Sequence, residues 1–225
     1  SDKCEFAGNS VVAPLHTGSG TVFVGGSAAA LIGNTIASLD LSGGSSDTSS
    51  IVADGGSAVS SFTAGGGFLV WSLQSSYFSN IAMTAHNVQL TQNYVNAHAV
   101  NAPYVQVGGG ALLLFTTYAT MNVSLVNCTM AHNTVDVSDA CAAGNGAVTC
   151  YAGGGGALIG NRQVCLTSDP CVVLDSCTMT NNSVLSVGVA AQALVAGGGG
   201  LLSTTQSQLL LLNSTLQLNS GAYGL

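Results

Sequence analysis

Two short phrases alternate along the whole chain, and this tandem repetition restricts the possible folds more than any other feature. The glycine phrase occurs as VGGSAAALIG at 24–33, GGGFLVW at 65–71, VGGGALLLF at 107–115, GGGGALIG at 153–160 and GGGGLLS at 197–203. The asparagine phrase occurs as KCEFAGNSV at 3–11, NCTMAHNTV at 127–135, SCTMTNNSV at 176–184 and NSTLQLNSG at 213–221, with NIAMTAHNV at 80–88 as a copy carrying one inserted residue. The matched glycines Gly65, Gly108, Gly154 and Gly198 are 43, 46 and 44 residues apart. The pattern predicts one domain over residues 1–225, with about five repeat units of 40–46 residues.

The segments between the turn residues are typical of β-strands. ALLLF at 111–115, VSLV at 123–126 and QLLLL at 208–212 are four or five residues long and bounded by Gly, Asn or Ser. Glycine makes up 30 of the 225 residues, and each one inside a helix would cost about 1 kcal/mol. The sequence therefore predicts an all-β chain.

A strand-and-turn unit of this kind buries its apolar face only by stacking on its own copies. The predicted fold is a right-handed parallel β-helix, or β-solenoid, whose strands pair with those of the next unit about 4.8 Å away. An asparagine at a fixed repeat position then forms a ladder of stacked side-chain amides. The predicted ladder consists of Asn9, Asn133, Asn182 and Asn219. The glycine phrase fits a corner that needs positive φ or leaves no room for a Cβ.

The two phrases together resemble the GGA(I/L) and FxxN repeats of polymorphic outer-membrane protein adhesins, which are right-handed parallel β-helices of the pectin-lyase-like type. The resemblance is carried by Gly109, Gly110, Ala111 and Leu112 with Met130 and Asn133, by Gly155, Gly156, Ala157 and Leu158 with Met179 and Asn182, and by Phe6 with Asn9. We expect no membrane-barrel domain of the kind found in those proteins within residues 1–225. Its long unit leaves two arrangements open: one wide turn with a protruding hairpin, or two turns.

Low charge excludes several classes of function. Only Lys3 and Arg162 are basic, nine residues are acidic, and the net charge is −7, so nucleic acid is not an expected partner. The longest apolar window, 187–202, is shorter than a membrane span and contains four glycines.

With only 5% charged residues, the surface needs attached sugar or burial in an assembly. The N-terminus lacks a signal peptide and neither end resembles a polar cap, so we expect a fragment or module of a longer or polymeric protein.

The seven cysteines suggest an oxidising compartment. Cys141 with Cys150 and Cys165 with Cys171 are predicted disulfides across local turns. Cys4, Cys128 and Cys177 share a repeat position, where one vertical disulfide is possible because neighbouring strands lie within disulfide reach. We expect Cys128 and Cys177 as candidates for it. No metal site is expected, since the chain has no C-x-x-C and its His residues are scattered.

Four N-x-S/T sequons mark candidate N-glycosylation sites, and they begin at Asn122, Asn127, Asn181 and Asn213. Covalent N-linked glycans are the only non-protein group we expect; no cofactor is predicted.

No catalytic residues are predicted. Among the acidic residues Asp136 and Asp139 are close neighbours in a predicted loop, and no column of acids recurs at matched positions. His132, beside Asn133, is interpreted as a turn or surface residue.

The sequence thus favours an extracellular structural protein, a β-helix module of a surface filament or appendage that associates end to end with itself or neighbouring subunits. The alternative is a cell-surface adhesin that binds a ligand through hairpins at 141–150 and 165–171. A polysaccharide lyase or hydrolase is the third interpretation.

Overall fold

A computed structural model describes residues 4–13, 20–25, 29–33, 36–54, 59–65, 68–72, 80–98, 104–116, 120–137, 149–161, 172–186, 193–197, 199–203 and 209–223. Within these ranges the chain forms β-strands and no helix. The prediction of an all-β chain is confirmed.

The strands are short and evenly distributed. In chain order they are β1 (Cys4–Ala7), β2 (Ser10–Ala13), β3 (Gly20–Gly25), β4 (Ala29–Gly33), β5 (Ile36–Asp47), β6 (Ser50–Asp54), β7 (Val59–Gly65), β8 (Phe68–Ser72), β9 (Asn80–Thr91), β10 (Tyr94–His98), β11 (Tyr104–Gly108), β12 (Leu112–Thr116), β13 (Thr120–Val126), β14 (Thr129–Ala131), β15 (Thr134–Asp136), β16 (Thr149–Gly153), β17 (Ala157–Asn161), β18 (Val172–Asp175), β19 (Thr178–Thr180), β20 (Ser183–Ser186), β21 (Ala193–Gly197), β22 (Leu201–Ser203), β23 (Leu209–Leu212), β24 (Thr215–Gln217) and β25 (Ser220–Tyr223).

These strands pair into four parallel sheets, each of which takes strands from successive repeat units. Sheet A contains β1, β5, β9, β13, β14, β18, β19, β23 and β24; sheet B runs β2-β6-β10-β15-β20-β25; sheet C runs β21-β16-β11-β7-β3; and sheet D runs β22-β17-β12-β8-β4. We call one passage of the chain through sheets A, B, C and D a level.

Pairing always joins neighbouring levels among the described strands. Thr178 pairs with Thr215, 37 residues later, whereas Val123 pairs with Val172, 49 residues later. The variation in unit length therefore falls in the segments between the paired strands.

Sheet A bends at a column of residues in the left-handed region. Asn127, Ser176 and Asn213 have φ of 52°, 56° and 46° and separate the two strands of their levels. Asn87 has φ 58° at the matching place inside the long strand β9. Asparagine suits this conformation because its short polar side chain bonds locally.

Inward-facing side chains of sheet A stack into apolar columns. Leu90, Met130 and Met179 form one column and are 3%, 1% and 1% exposed. Alanine, leucine and isoleucine of the glycine phrases in sheet D complete the same core. The alternation of buried and half-buried residues along β18 follows from the two-residue period of a strand.

Candidate functional site: an asparagine ladder and exposed sequons

A ladder of four asparagines runs through the interior where sheet A meets sheet B. Asn93 Nδ2 donates to Asn133 Oδ1 at 2.9 Å, Asn133 Nδ2 to Asn182 Oδ1 at 2.9 Å, and Asn182 Nδ2 to Asn219 Oδ1 at 3.0 Å. Asn93, Asn133 and Asn182 are at most 1% exposed. The ladder gives buried amides the partners that they would otherwise have to find in water.

Each ladder amide also satisfies backbone groups. Asn133 Oδ1 accepts a second hydrogen bond from the backbone N–H of Asn93 at 2.9 Å, and Asn133 Nδ2 donates its other hydrogen to the Leu90 carbonyl at 2.9 Å. Asn182 repeats this pattern with the Asn133 N–H at 3.1 Å and the Met130 carbonyl at 2.9 Å. The side chain therefore joins three levels.

Three predicted ladder residues, Asn133, Asn182 and Asn219, lie in this ladder. Asn9 is half-buried two levels before Asn93, and its carbonyl accepts the Ser50 N–H at 2.8 Å. The intervening level carries the buried Ser49 at the ladder position.

The repeat assignment of NIAMTAHNV at 80–88 is wrong, and it hid Asn93. Met83 pairs with Val123, whereas Leu90 pairs with Met130. The correct copy is Leu90-Thr-Gln-Asn93, which has the spacing of an apolar residue followed three positions later by Asn. The shorter match to the Met-x-x-x-Asn phrase obscured that signal.

The glycine phrase packs against the asparagine phrase that follows it in the sequence. A Cβ on Gly110 would lie 3.0 Å from Asn133 Cβ, and one on Gly156 would lie 3.2 Å from Asn182 Nδ2. A Cβ on Gly155 would meet the Gly199 carbonyl and lie 2.7 Å from the Ser183 backbone nitrogen. The two phrases therefore recur together because the asparagine of each level packs against the backbone of glycines that have no side chain.

All four sequon asparagines are exposed. Asn127 and Asn213 lie in the left-handed column of sheet A, Asn181 has φ 52° next to the ladder, and Asn122 lies on β13. No ladder asparagine is the acceptor residue of a sequon, although Asn182 is the middle residue of the sequon that begins at Asn181. The two groups of asparagines also differ in burial, since Asn93, Asn133 and Asn182 are buried.

Two sequon side chains use only one of their two amide hydrogens in the hydrogen bond to a neighbouring level. Asn127 Nδ2 donates to Asn87 Oδ1 at 2.6 Å, and Asn213 Nδ2 donates to Asp175 Oδ1 at 3.2 Å. A side-chain amide carries two N–H hydrogens. An N-linked sugar replaces one of them, so the hydrogen bond to the neighbouring level is compatible with glycosylation.

A column of small polar side chains lies inside sheet A just after its bend. Cys128 Sγ donates to the Ala85 carbonyl at 3.4 Å, and Cys177 Sγ donates to the Leu125 carbonyl at 3.3 Å. Ser214 Oγ repeats the contact with the Leu174 carbonyl at 3.1 Å one level further. Thiol and hydroxyl thus perform the same hydrogen-bonding role.

Cys128 and Cys177, the candidates for a vertical disulfide, are both buried and are free thiols in this structure. The neighbouring thiol of Cys177 lowers the pKa of Cys128 to about 7, although burial acts in the opposite direction. The neighbouring thiol of Cys128, followed by burial, raises the pKa of Cys177 well above that of an ordinary thiol.

Several predicted residues fall outside the description. Cys141, Cys165, Cys171 and Asp139 lie outside the described residues, as do the hairpins at 141–150 and 165–171 except for the last two residues of the first. Cys150 lies in β16, where only its backbone is described.

The hydroxyl of Tyr94 donates to Asp136 Oδ2 at 3.3 Å. Burial, followed by the negative charge of Asp136, raises the pKa of Tyr94. His132 is exposed beside the ladder with φ 58°. In the described part of the chain, no three His, Cys, Asp or Glu side chains cluster closely enough to hold a metal ion.

Comparison with known proteins adds no relative. No family model, curated protein or solved structure matches the chain. Among the described residues, no helix has the length and apolar character needed to span a membrane.

Proposed function

We propose that this protein is a non-enzymatic extracellular structural protein, a β-helix module of a surface filament or appendage. The observation that carries the proposal is the continuous stacking of levels, in which parallel strands and the asparagine ladder repeat the same contacts through the chain. Such an array resists deformation because every level is hydrogen-bonded to the next. The resemblance to adhesin repeats supports a surface location. The hairpins that the ligand-binding alternative requires, at 141–150 and 165–171, lie outside the described residues except for the last two residues of the first.

The four sheets fit a single right-handed β-helix, which we propose as the finer architecture. The same neighbouring levels are paired in sheets A, B, C and D, and the inward columns of sheets A and D share one core. A chain that visits four parallel sheets in the same order at each level closes naturally into a solenoid.

Surface sugar fits the proposal because only 5% of the residues are charged and all four sequon asparagines are exposed. We expect protein secreted from a eukaryotic cell to bear N-linked glycans on peptides containing Asn127 or Asn213, which intact-mass and peptide-mass measurements before and after enzymatic removal of sugar would show. Asn127→Gln should remove one glycan. Asn87→Gln is the matched control, because Asn87 lies on the same exposed corner outside a sequon. Secreted protein with the bare polypeptide mass would contradict glycosylation.

The edge formed by β23, β24 and β25 is suited to end-to-end association. Each of these strands pairs on one side only among the described strands. Leu211 and Leu216 are 43% and 45% exposed, although Leu174 and Met179, their partners one level earlier, are at most 1% exposed. Burying such side chains is worth about 1.5–3 kcal/mol each. We propose that a level of a second copy covers this edge.

The association is testable with the 225-residue chain. We expect its molar mass in analytical ultracentrifugation to rise above 22.2 kDa with concentration, and Leu216→Lys to lower the association constant at least tenfold because it buries a charge at the edge. Leu185→Lys is the control, since Leu185 is 38% exposed but points outward from β20. A wild-type chain that stays monomeric at all concentrations, or equal weakening by both variants, would rule out this interface.

A further inference from the structure

We infer that Cys128 and Cys177 are an oxidisable pair that forms a disulfide between two neighbouring levels of sheet A. The inference rests on the proposed extracellular function, because such bonds persist in oxidising compartments. It joins Cys128 and Cys177, the two members of the repeated cysteine position that the sequence offers as candidates.

Strand register places the two cysteines directly opposite each other. Val126 pairs with Asp175 and Thr129 pairs with Thr178, so both flanking pairs have the offset of 49 residues that separates Cys128 from Cys177. The Thr178 N–H donates to the Cys128 carbonyl at 2.8 Å, which holds the two backbones together at this point. Neighbouring strands lie about 4.8 Å apart, within the range of Cα separations that a disulfide spans.

The same register excludes Cys4 as a disulfide partner of Cys128. Cys4 pairs with Gly44, Gly44 pairs with Val88, and the pairing of Gln89 with Thr129 sets Val88 opposite Cys128. Cys4 is therefore three levels from Cys128. Three levels correspond to about 14 Å, far beyond disulfide reach.

Each thiol donates to a carbonyl of the preceding level, so both sulfurs lie on the inner side of sheet A at equivalent positions. The neighbouring Cys177 thiol lowers the pKa of Cys128 toward neutrality, which favours its thiolate, the form that reacts with disulfides. Both residues are buried, at 2% and 3% exposure, so oxidation is expected during folding, before the levels close. The hydrogen bonds from sulfur to carbonyl that are lost on oxidation are weak.

The oxidant is a low-molecular-weight disulfide such as oxidised glutathione. The Cys128 thiolate attacks one of its sulfurs, breaks its S–S bond and expels one glutathione thiolate. The Cys177 thiolate then attacks Cys128 Sγ in the mixed disulfide and expels the second. Two protein thiols are oxidised, their two protons pass to the departing thiolates, and one external disulfide is reduced to two thiols.

Trypsin provides a direct test, because Lys3 and Arg162 are the only basic residues. Cleavage after Arg162 places Cys128 and Cys177 on different fragments, 4–162 and 163–225. The whole chain is refolded in a glutathione redox buffer, its free thiols are alkylated, and it is denatured and digested without reductant. We expect the two fragments to stay joined until reductant is added, and a second cleavage with mass spectrometry to identify a peptide containing Cys128 linked to one containing Cys177.

Fragments that separate without reductant, or a linked peptide in which Cys128 or Cys177 has another partner, would overturn the inference. The Cys177→Ser variant should lose this peptide. It is expected to fold, since Ser214 occupies the same column, and under reducing conditions its unfolding midpoint should stay within about 3 °C of wild type. Oxidation should raise the midpoint of wild type by about 8 °C more than it raises that of Cys177→Ser.

The proposed function and this inference fail separately. Secreted protein that carries N-glycans but shows no such linked peptide refutes the disulfide alone. If secreted protein carries no N-glycans but the refolded chain forms the linked peptide, glycosylation no longer supports the proposed function, whereas the pairing of Cys128 with Cys177 stands.

Discussion

Replacing Gly155 with alanine is expected to lower the free energy of unfolding by about 3 kcal/mol or more. The new methyl group would meet the Gly199 carbonyl and both the nitrogen and the oxygen of Ser183, at 2.7 Å from each Ser183 atom. All three are backbone atoms, which side-chain rotation cannot move aside. The levels would have to separate locally, and overpacking of a tight interior costs about 1–3 kcal/mol even where side chains can adjust. Urea denaturation followed by far-ultraviolet circular dichroism measures the change.

Gly8→Ala is the control for this substitution. A Cβ on Gly8 would meet nothing within 4 Å, but Gly8 has φ +61°, so alanine there should cost only the left-handed backbone strain of about 1–2 kcal/mol. Gly155 is not in the left-handed region, and its loss therefore reports packing. Equal destabilisation by the two variants would show that the glycine phrase does not pack against the following level.

Asn133→Ala is the second substitution with a large expected effect, a loss of about 4 kcal/mol in the free energy of unfolding. It removes the acceptor of two Asn93 donors and the donors to Leu90 and Asn182. These groups are buried, and each buried polar group left without a partner costs about 1–3 kcal/mol. The same urea titration measures the loss.

His132→Gly is the matched control for Asn133→Ala. His132 is the preceding residue, but it is exposed and has φ 58°, which glycine adopts without strain. We expect a change below about 0.5 kcal/mol. If Asn133→Ala were equally mild, the ladder would be dispensable for stability.

Repetition predicted much of this architecture because stacking needs only equivalent residues at equivalent positions. The strands around Val123 and Leu125, the parallel pairing of neighbouring units and the amide contacts among Asn133, Asn182 and Asn219 all follow from the alignment of phrases. Alignment failed at Asn93, where a better-matching phrase lay a few residues upstream. It placed Asn182 in the ladder and Asn181 in a sequon, but the burial of the first and the exposure of the second come from the structure.

The contact between the two phrases was also beyond the reach of pattern reasoning. Gly156 and Asn182 are 26 residues apart, and the segments between the phrases vary in length from unit to unit. Their proximity depends on where sheets B, C and D place the glycines relative to the next level. The periodicity of a single sequence shows which residues alternate within a strand. It does not show how the sheets place a glycine of one level against an asparagine of the next.

The asparagine ladder gives the stack a direction. At every step the amide nitrogen and the backbone N–H of one asparagine point to the oxygen of the asparagine in the following level. A level therefore presents the backbone N–H of its asparagine to the following level and the side-chain oxygen of the same asparagine to the preceding level, and two identical faces brought together would not reproduce these contacts. Assemblies built through this column can grow only with all of their subunits oriented alike, so a fibre made from such modules would have two chemically different ends.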